Sequence, residues 1–222
     1  MVKERKYKLV IFDLDGTLMN TSPGIFESAN KTREAMGLSR EEDLSVMSRF
    51  IGPPIKDCFR VTYNMTDEKQ IEEAVTIFRG FYTSHGMYQA VPFQGMKDTL
   101  KSLKDQGYLL AVGTMKHGST AKAMMTHFGF DPYFDEVAGS DEHGVLTKGL
   151  IVQSLCEQFG VLPSEAVLVG DTMHDALGAE FAHVDFIAAQ YGFGFPDGVE
   201  VGKGIDAVIA QPLDLLPLLR AE

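Results

Sequence analysis

Tyr7-Lys8-Leu9-Val10-Ile11-Phe12-Asp13-Leu14-Asp15-Gly16-Thr17 decides how this chain is read. Residues 7–12 form an apolar, β-branched run that stops at an Asp-x-Asp-Gly-Thr cluster, the pattern of a buried strand ending in a turn. Residues two apart in extended chain face the same side, so Asp13 and Asp15 are expected to share one crowded site at the strand's end. Like charges that close are unfavourable unless a cation or a shared proton compensates, so the pair implies a metal, an acid/base role, or both. A cap or turn role explains one aspartate after a strand far better than two. An EF-hand calcium loop fails, because its twelfth position would be Gly24 or Ser22 instead of glutamate.

Outward from this stretch, residues 108–112, the surroundings of Val137, 166–169 and 184–188 read as further strands. Helical spacing of apolar residues fills 96–106, 119–128 and 150–159, each ending near a glycine. Strand-helix alternation of this kind predicts an α/β fold: a Rossmann-like, mostly parallel sheet covered on both faces, with its ligand at the carboxyl ends of the strands. Residues 23–36, 41–49, 55–63 and 66–86 show helical signals without a strand. The expected division is therefore an α/β core at 1–17 and 91–222 with a small α-helical cap inserted at 18–90. Residues 212–219 read as a short closing helix.

The 222 residues carry 45% hydrophobic and 23% charged side chains, ordinary globular usage. A net charge of −11 repels phosphate backbones and anionic membrane surfaces, so neither nucleic acid nor a membrane is an expected partner. The same field opposes a phosphate substrate, so local cations must reverse it at the site. Cys58 and Cys156 lie in apolar segments without metal-ligand spacing and read as free buried thiols. The apolar stretch after the charged start is too short for a signal peptide and no run of ~18 apolar residues occurs, which makes the cytoplasm the expected location.

Gly170-Asp171-Thr172 with Asp175 follows the fourth strand and adds a second pair of acids. Alone, that pair reads equally well as helix capping. With Asp13 and Asp15, four carboxylates at two strand ends suit an oxygen-ligand, octahedral Mg2+ site. Thr114 ends the second strand, either as the N-cap of the next helix or as a holder of a phosphoryl oxygen. Lys148 opens a helix, where a cation opposes the helix dipole; a nearby anion or acid cluster would explain it, while a solvated surface role is the more frequent one for any single lysine. Gly192-Phe193-Gly194 reads only as a loop, and no phosphate loop, dinucleotide fingerprint, zinc motif or nucleophile elbow is present.

In that order, Asp13-Leu14-Asp15-Gly16-Thr17, Thr114, Lys148 and Gly170-Asp171-x-x-x-Asp175 resemble the four motifs of the haloacid dehalogenase-like hydrolase superfamily. Phe50-Ile51-Gly52-Pro53-Pro54, Thr147-Lys148 and Tyr191-Gly192-Phe193-Gly194 are most similar to the phosphoglycolate phosphatase-like group and its nucleotidase-like relatives. Met115 and Thr172 depart from the residues usual in that group. The resemblance implies a phosphoric monoester hydrolase: Asp13 as nucleophile through an aspartyl-phosphate, Asp15 as general acid and base. It also implies Mg2+ held by Asp13, the Asp15 carbonyl and Asp171, with Asp175 orienting its waters. Thr114 and Lys148 would bind phosphoryl oxygens, Lys148 also keeping Asp13 ionised, and the cap loop around Arg49 would contact substrate. The implied partner is a small-molecule phosphate ester, phosphoglycolate or a nucleoside 5′-monophosphate first, acted on by a monomer or homodimer. A sugar phosphomutase of the same superfamily, or a non-catalytic binding protein on the same fold, shares these motifs.

Overall fold

Every residue of Leu9–Phe12 (β1) is fully buried, as expected for a strand hydrogen-bonded on both edges and covered on both faces. The computed structural model describes residues 6–141, 145–195, 198–202 and 204–220; residues 1–5 of the charged start lie outside them. After β1 come Met19–Asn20 (β2) and four helices, Ser22–Ala35 (α1), Leu44–Met47 (α2), Ile55–Tyr63 (α3) and Glu68–Ser84 (α4). Val91–Pro92 (β3) leads into Met96–Asp105 (α5), Leu109–His117 (β4), Gly118–His127 (α6), Glu136–Ser140 (β5) and Lys148–Phe159 (α7). The chain continues through Ala166–Gly170 (β6), Met173–Ala182 (α8), Asp185–Ala189 (β7), Ala207–Ile209 (β8) and Leu215–Leu219 (α9).

Six strands form a parallel sheet in the order β5-β4-β1-β6-β7-β8. From β1 the order runs one way through β4 and β5, then reverses through β6, β7 and β8. The carboxyl end of β1 is therefore the topological switch point, where crevices open in sheets of this kind. Phe12 pairs with Val112 on one side and Val169 on the other, so the chain emerges from β1, β4 and β6 at one level.

Two departures from the sequence reading have simple causes. The strand β4 runs on to His117, past the apolar stretch, because its polar end still pairs with β5. The sixth strand, β8, went unread because three residues at a sheet edge carry no long apolar run.

The chain divides into two compact units, 1–19 with 92–222, and 20–91. In the helical unit, Asp43 and Asp67 accept main-chain N–H bonds at 2.8 Å from Ser45 and Lys69 and so cap α2 and α4. An aromatic cluster fills its centre: Phe50 and Phe59 edge-to-face at 5.2 Å, Phe59 and Phe78 at 6.2 Å, Phe78 stacked on Tyr82 at 5.7 Å. Among the described residues, no helix is long and apolar enough to cross a membrane, and both cysteines are free and buried.

Candidate active site

Asp13 is the first residue beyond β1, and its main-chain N–H still donates to Val169 O at 2.9 Å. The chain then turns sharply, with the N–H groups of Thr17, Leu18 and Met19 all reaching Leu14 O. Gly16 allows this turn at φ +82°, and a Cβ there would come within 2.1 Å of Asp171 Oδ2. The turn therefore brings the β1 and β6 carboxylates together.

One oxygen from each of Asp13, Asp171 and Asp175 lies within 4.8 Å of the others, and all three side chains are buried. Lys148, the first residue of α7, is 3% exposed and reaches into them. Its Nζ lies 2.5 Å from Asp13 Oδ1, 2.8 Å from Asp175 Oδ1 and 2.8 Å from Gly113 O. Three acceptors match the three donors of an ammonium group, which accounts for a cation placed against the helix dipole.

Burial pushes the Asp13 carboxyl up to about 6, with Asp175 and Asp15 repelling in the same direction and the Lys148 ammonium opposing them. Asp171 is pushed well above its ordinary value by burial, then by Asp13 and Asp175. Lys148 is raised, its two carboxylate neighbours outweighing burial. Three carboxylates against one ammonium leave two negative charges uncompensated, and a divalent cation would balance them. The donor set, buried and all oxygen, fits Mg2+.

Of the roles read for the second acidic pair, capping is present, supplied by Thr172 together with Asp175. Thr172 caps α8: its Oγ1 accepts the Asp175 N–H at 3.3 Å and donates to Asp175 Oδ2 at 2.6 Å, while Asp175 Oδ1 faces Lys148. Asp171 is held by Thr17 Oγ1 at 3.2 Å and by the Phe193 N–H at 2.8 Å. The Tyr191 hydroxyl donates to Thr17 O at 3.0 Å. The segment 191–194 therefore braces the cluster, which the loop reading of it missed. A main-chain donor carries no residue-type signal.

Thr114 is buried within β4 and does not cap α6; its Oγ1 accepts the Lys116 N–H at 3.2 Å. It sits two residues beyond Val112, at the same end of the sheet as Asp13. Asp15 stands apart from the cluster of three. Its Oδ2 lies 3.0 Å from Lys116 Nζ, although it remains near enough to Asp13 to help raise that carboxyl. It stands apart because residues after Asp13 turn instead of staying extended. Arg49 is exposed on a 3-10 turn of the helical unit, at Ser48–Phe50.

The family model for haloacid dehalogenase-like hydrolases matches residues 10–189, spanning β1 to β7. This chain belongs to that family. The hydrolase is 36% identical over 193 residues to a 5′-nucleotidase of Pseudomonas aeruginosa, covering 86% of each chain. It is 32% identical over 196 residues to the tyrosine-protein kinase PtkA of Mycobacterium tuberculosis, covering 87% of this chain and 65% of that one. Among solved structures, the haloacid dehalogenase-like family protein SP0104 of Streptococcus pneumoniae matches with a TM-score of 0.86 and 29% identity, over 97% of this chain and 99% of that one. The inserted helical unit belongs to the same fold.

Proposed function

We propose that this hydrolase is a magnesium-dependent phosphatase that moves a phosphoryl group from a small phosphate monoester to Asp13 and then to water. The observation that carries the reading is the buried cluster of Asp13, Asp171 and Asp175 around Lys148, two negative charges short of balance at the switch point of the sheet. Asp13 and Asp171, with the Asp15 carbonyl, would hold Mg2+, Asp175 orienting its waters, and the ion when bound offsets negative charge on the phosphoryl group.

The Asp13 carboxylate, kept ionised by Lys148, attacks phosphorus as the ester P–O bond breaks, and a proton from Asp15 goes to the leaving oxygen. Asp15 then takes a proton from water, whose oxygen attacks phosphorus and frees Asp13. The Thr114 hydroxyl, its oxygen already accepting from Lys116, donates its proton to a phosphoryl oxygen. Arg49 supplies a substrate contact from the helical unit, and the cytoplasm is the compartment we assign.

The 5′-nucleotidase relative moves nucleoside 5′-monophosphates ahead of phosphoglycolate as the first substrates to test. Phosphate release is measured from both, from sugar phosphates and from pyrophosphate, with and without Mg2+, beside Asp13→Asn. Magnesium-dependent release that vanishes in the variant supports the reading; a variant with full turnover ends it. The relative named as a tyrosine-protein kinase favours a second reading, transfer to a protein hydroxyl in place of water. Label passing from ATP to a tyrosine peptide instead of to free phosphate would select it.

A further inference from the structure

The proposed reaction leaves one cation unused. We propose that Lys116 is the positioning residue for Asp15, fixing one carboxylate oxygen so that the other carries the transferred proton. The inference rests on the phosphatase reading above and adds a residue to it.

Lys116 Nζ lies 3.0 Å from Asp15 Oδ2, and the two side chains are 9% and 18% exposed. Asp15 Oδ1 is buried without a hydrogen-bond partner among the described residues. An ammonium group only donates, so the oxygen that faces it must accept and the carboxyl proton resides on Oδ1. Lys116 therefore selects the reactive oxygen and holds the carboxylate in one rotamer. A general acid misplaced by a fraction of an ångström loses much of its effect.

The backbone is shaped for this contact. Gly113 pairs with Ala138 and His117 with Ser140, so three residues of β4 face one residue of β5, Gly139. Such a bulge twists the strand and re-aims its side chains. A Cβ on Gly139 would come within 2.5 Å of Lys116 O and 2.6 Å of Gly118 Cα, so the bulge requires glycine opposite it.

The test uses leaving groups. An aryl ester such as p-nitrophenyl phosphate departs as a stable anion and needs little protonation, whereas an alkyl ester needs the proton. The readout is the ratio of kcat/KM for the best alkyl ester of the panel to that for p-nitrophenyl phosphate. Lys116→Met is expected to lower this ratio about tenfold, a share of the roughly 10²–10⁴ that general acids contribute. Asp15→Asn should lower it further, and Lys116→Arg should restore part of it. Lys116→Gln, which keeps a neutral N–H donor on a side chain one atom shorter, must lower the ratio as well and serves if the methionine variant does not fold. Equal losses on both esters, or an unchanged ratio, overturn the inference. Retained turnover in Asp13→Asn, or an unchanged ratio in Asp15→Asn, would instead overturn the phosphatase reading itself.

Discussion

The main-chain N–H of Phe193 donates to Asp171 Oδ2 at 2.8 Å, fixing a carboxylate that follows β6 from a loop that follows β7. Gly192 makes this approach possible, since a Cβ there would lie 2.3 Å from Asp171 Cβ and 2.5 Å from Asp171 Oδ2. Gly192→Ala must therefore displace Asp171 while leaving every side chain of the cluster chemically unaltered. Partners that orient a metal ligand are worth roughly 10–100-fold in metal affinity or activity. Isothermal titration with Mg2+ is expected to show a loss of that size, and unchanged affinity would deny Asp171 its part in the site.

Among the described residues, Lys148 is the one cation paired with these buried carboxylates, and removing it leaves Asp13 and Asp175 without a counter-charge. Breaking one side of a buried pair costs about 3–5 kcal/mol. Lys148→Met is expected to lose that much stability in metal-free urea titrations at neutral pH, together with turnover. A variant as stable as the parent would mean that the ammonium is not what holds the carboxylates together.

The residues that entered this site were legible where chemistry depends on side-chain type. Asp13, Asp171 and Lys148 stand out in sequence because charges at the ends of buried strands and at the start of a helix need partners. Side chains whose meaning depends on main-chain geometry were not legible. Lys116 reads as one more lysine after a strand until the bulge opposite Gly139 aims it at Asp15. Phe193 contributes an N–H that any residue but proline would supply. The five long strands were visible as apolar runs; β8 was not, because a three-residue edge strand buries too little to leave a pattern.

For Asp171 and Asp175 the sequence offers helix capping or a metal site; in the structure one Asp175 oxygen takes part in the cap and the other pairs with Lys148. Thr172→Ala removes the cap hydroxyl and one of the two bonds to Asp175 Oδ2, leaving the main-chain N–H at 3.1 Å. Loss of an N-cap side chain costs about 0.5–2 kcal/mol. Thermal unfolding should register that decrease, and Thr172→Ser should recover most of it, since serine keeps the hydroxyl. Turnover should fall in Thr172→Ala beyond what lost stability explains, because Asp175 would be held less firmly beside Lys148; turnover unchanged under conditions where both proteins are folded would make the cap purely structural.

Asp13 also sets a pH dependence whose sign is opposite to that of a carboxylate in a surface ion pair. Its folded-state value is raised from 3.8 to about 6, so the folded protein holds this proton more tightly than the unfolded chain does. Stability from this group is complete below 3.8 and is lost as pH rises through about 6. Lys148 is also raised, but its contribution is constant across that window because it is charged in both states. Other carboxylates, such as Glu136 and Glu165, are lowered by their partners and slope the other way at more acidic pH. The comparison that reads Asp13, together with its repulsion of Asp171, is therefore metal-free protein against Asp13→Asn: the parent should lose stability relative to the variant between about pH 4 and 6. Saturating Mg2+ should remove most of that slope, since a bound cation replaces the proton as the partner of the carboxylate. Melting curves at half-unit steps of pH, with and without Mg2+, make the measurement. A difference between the two proteins that stays flat with pH would show that burial does not raise Asp13, and with it the charge imbalance that favours a divalent ion would lose its support.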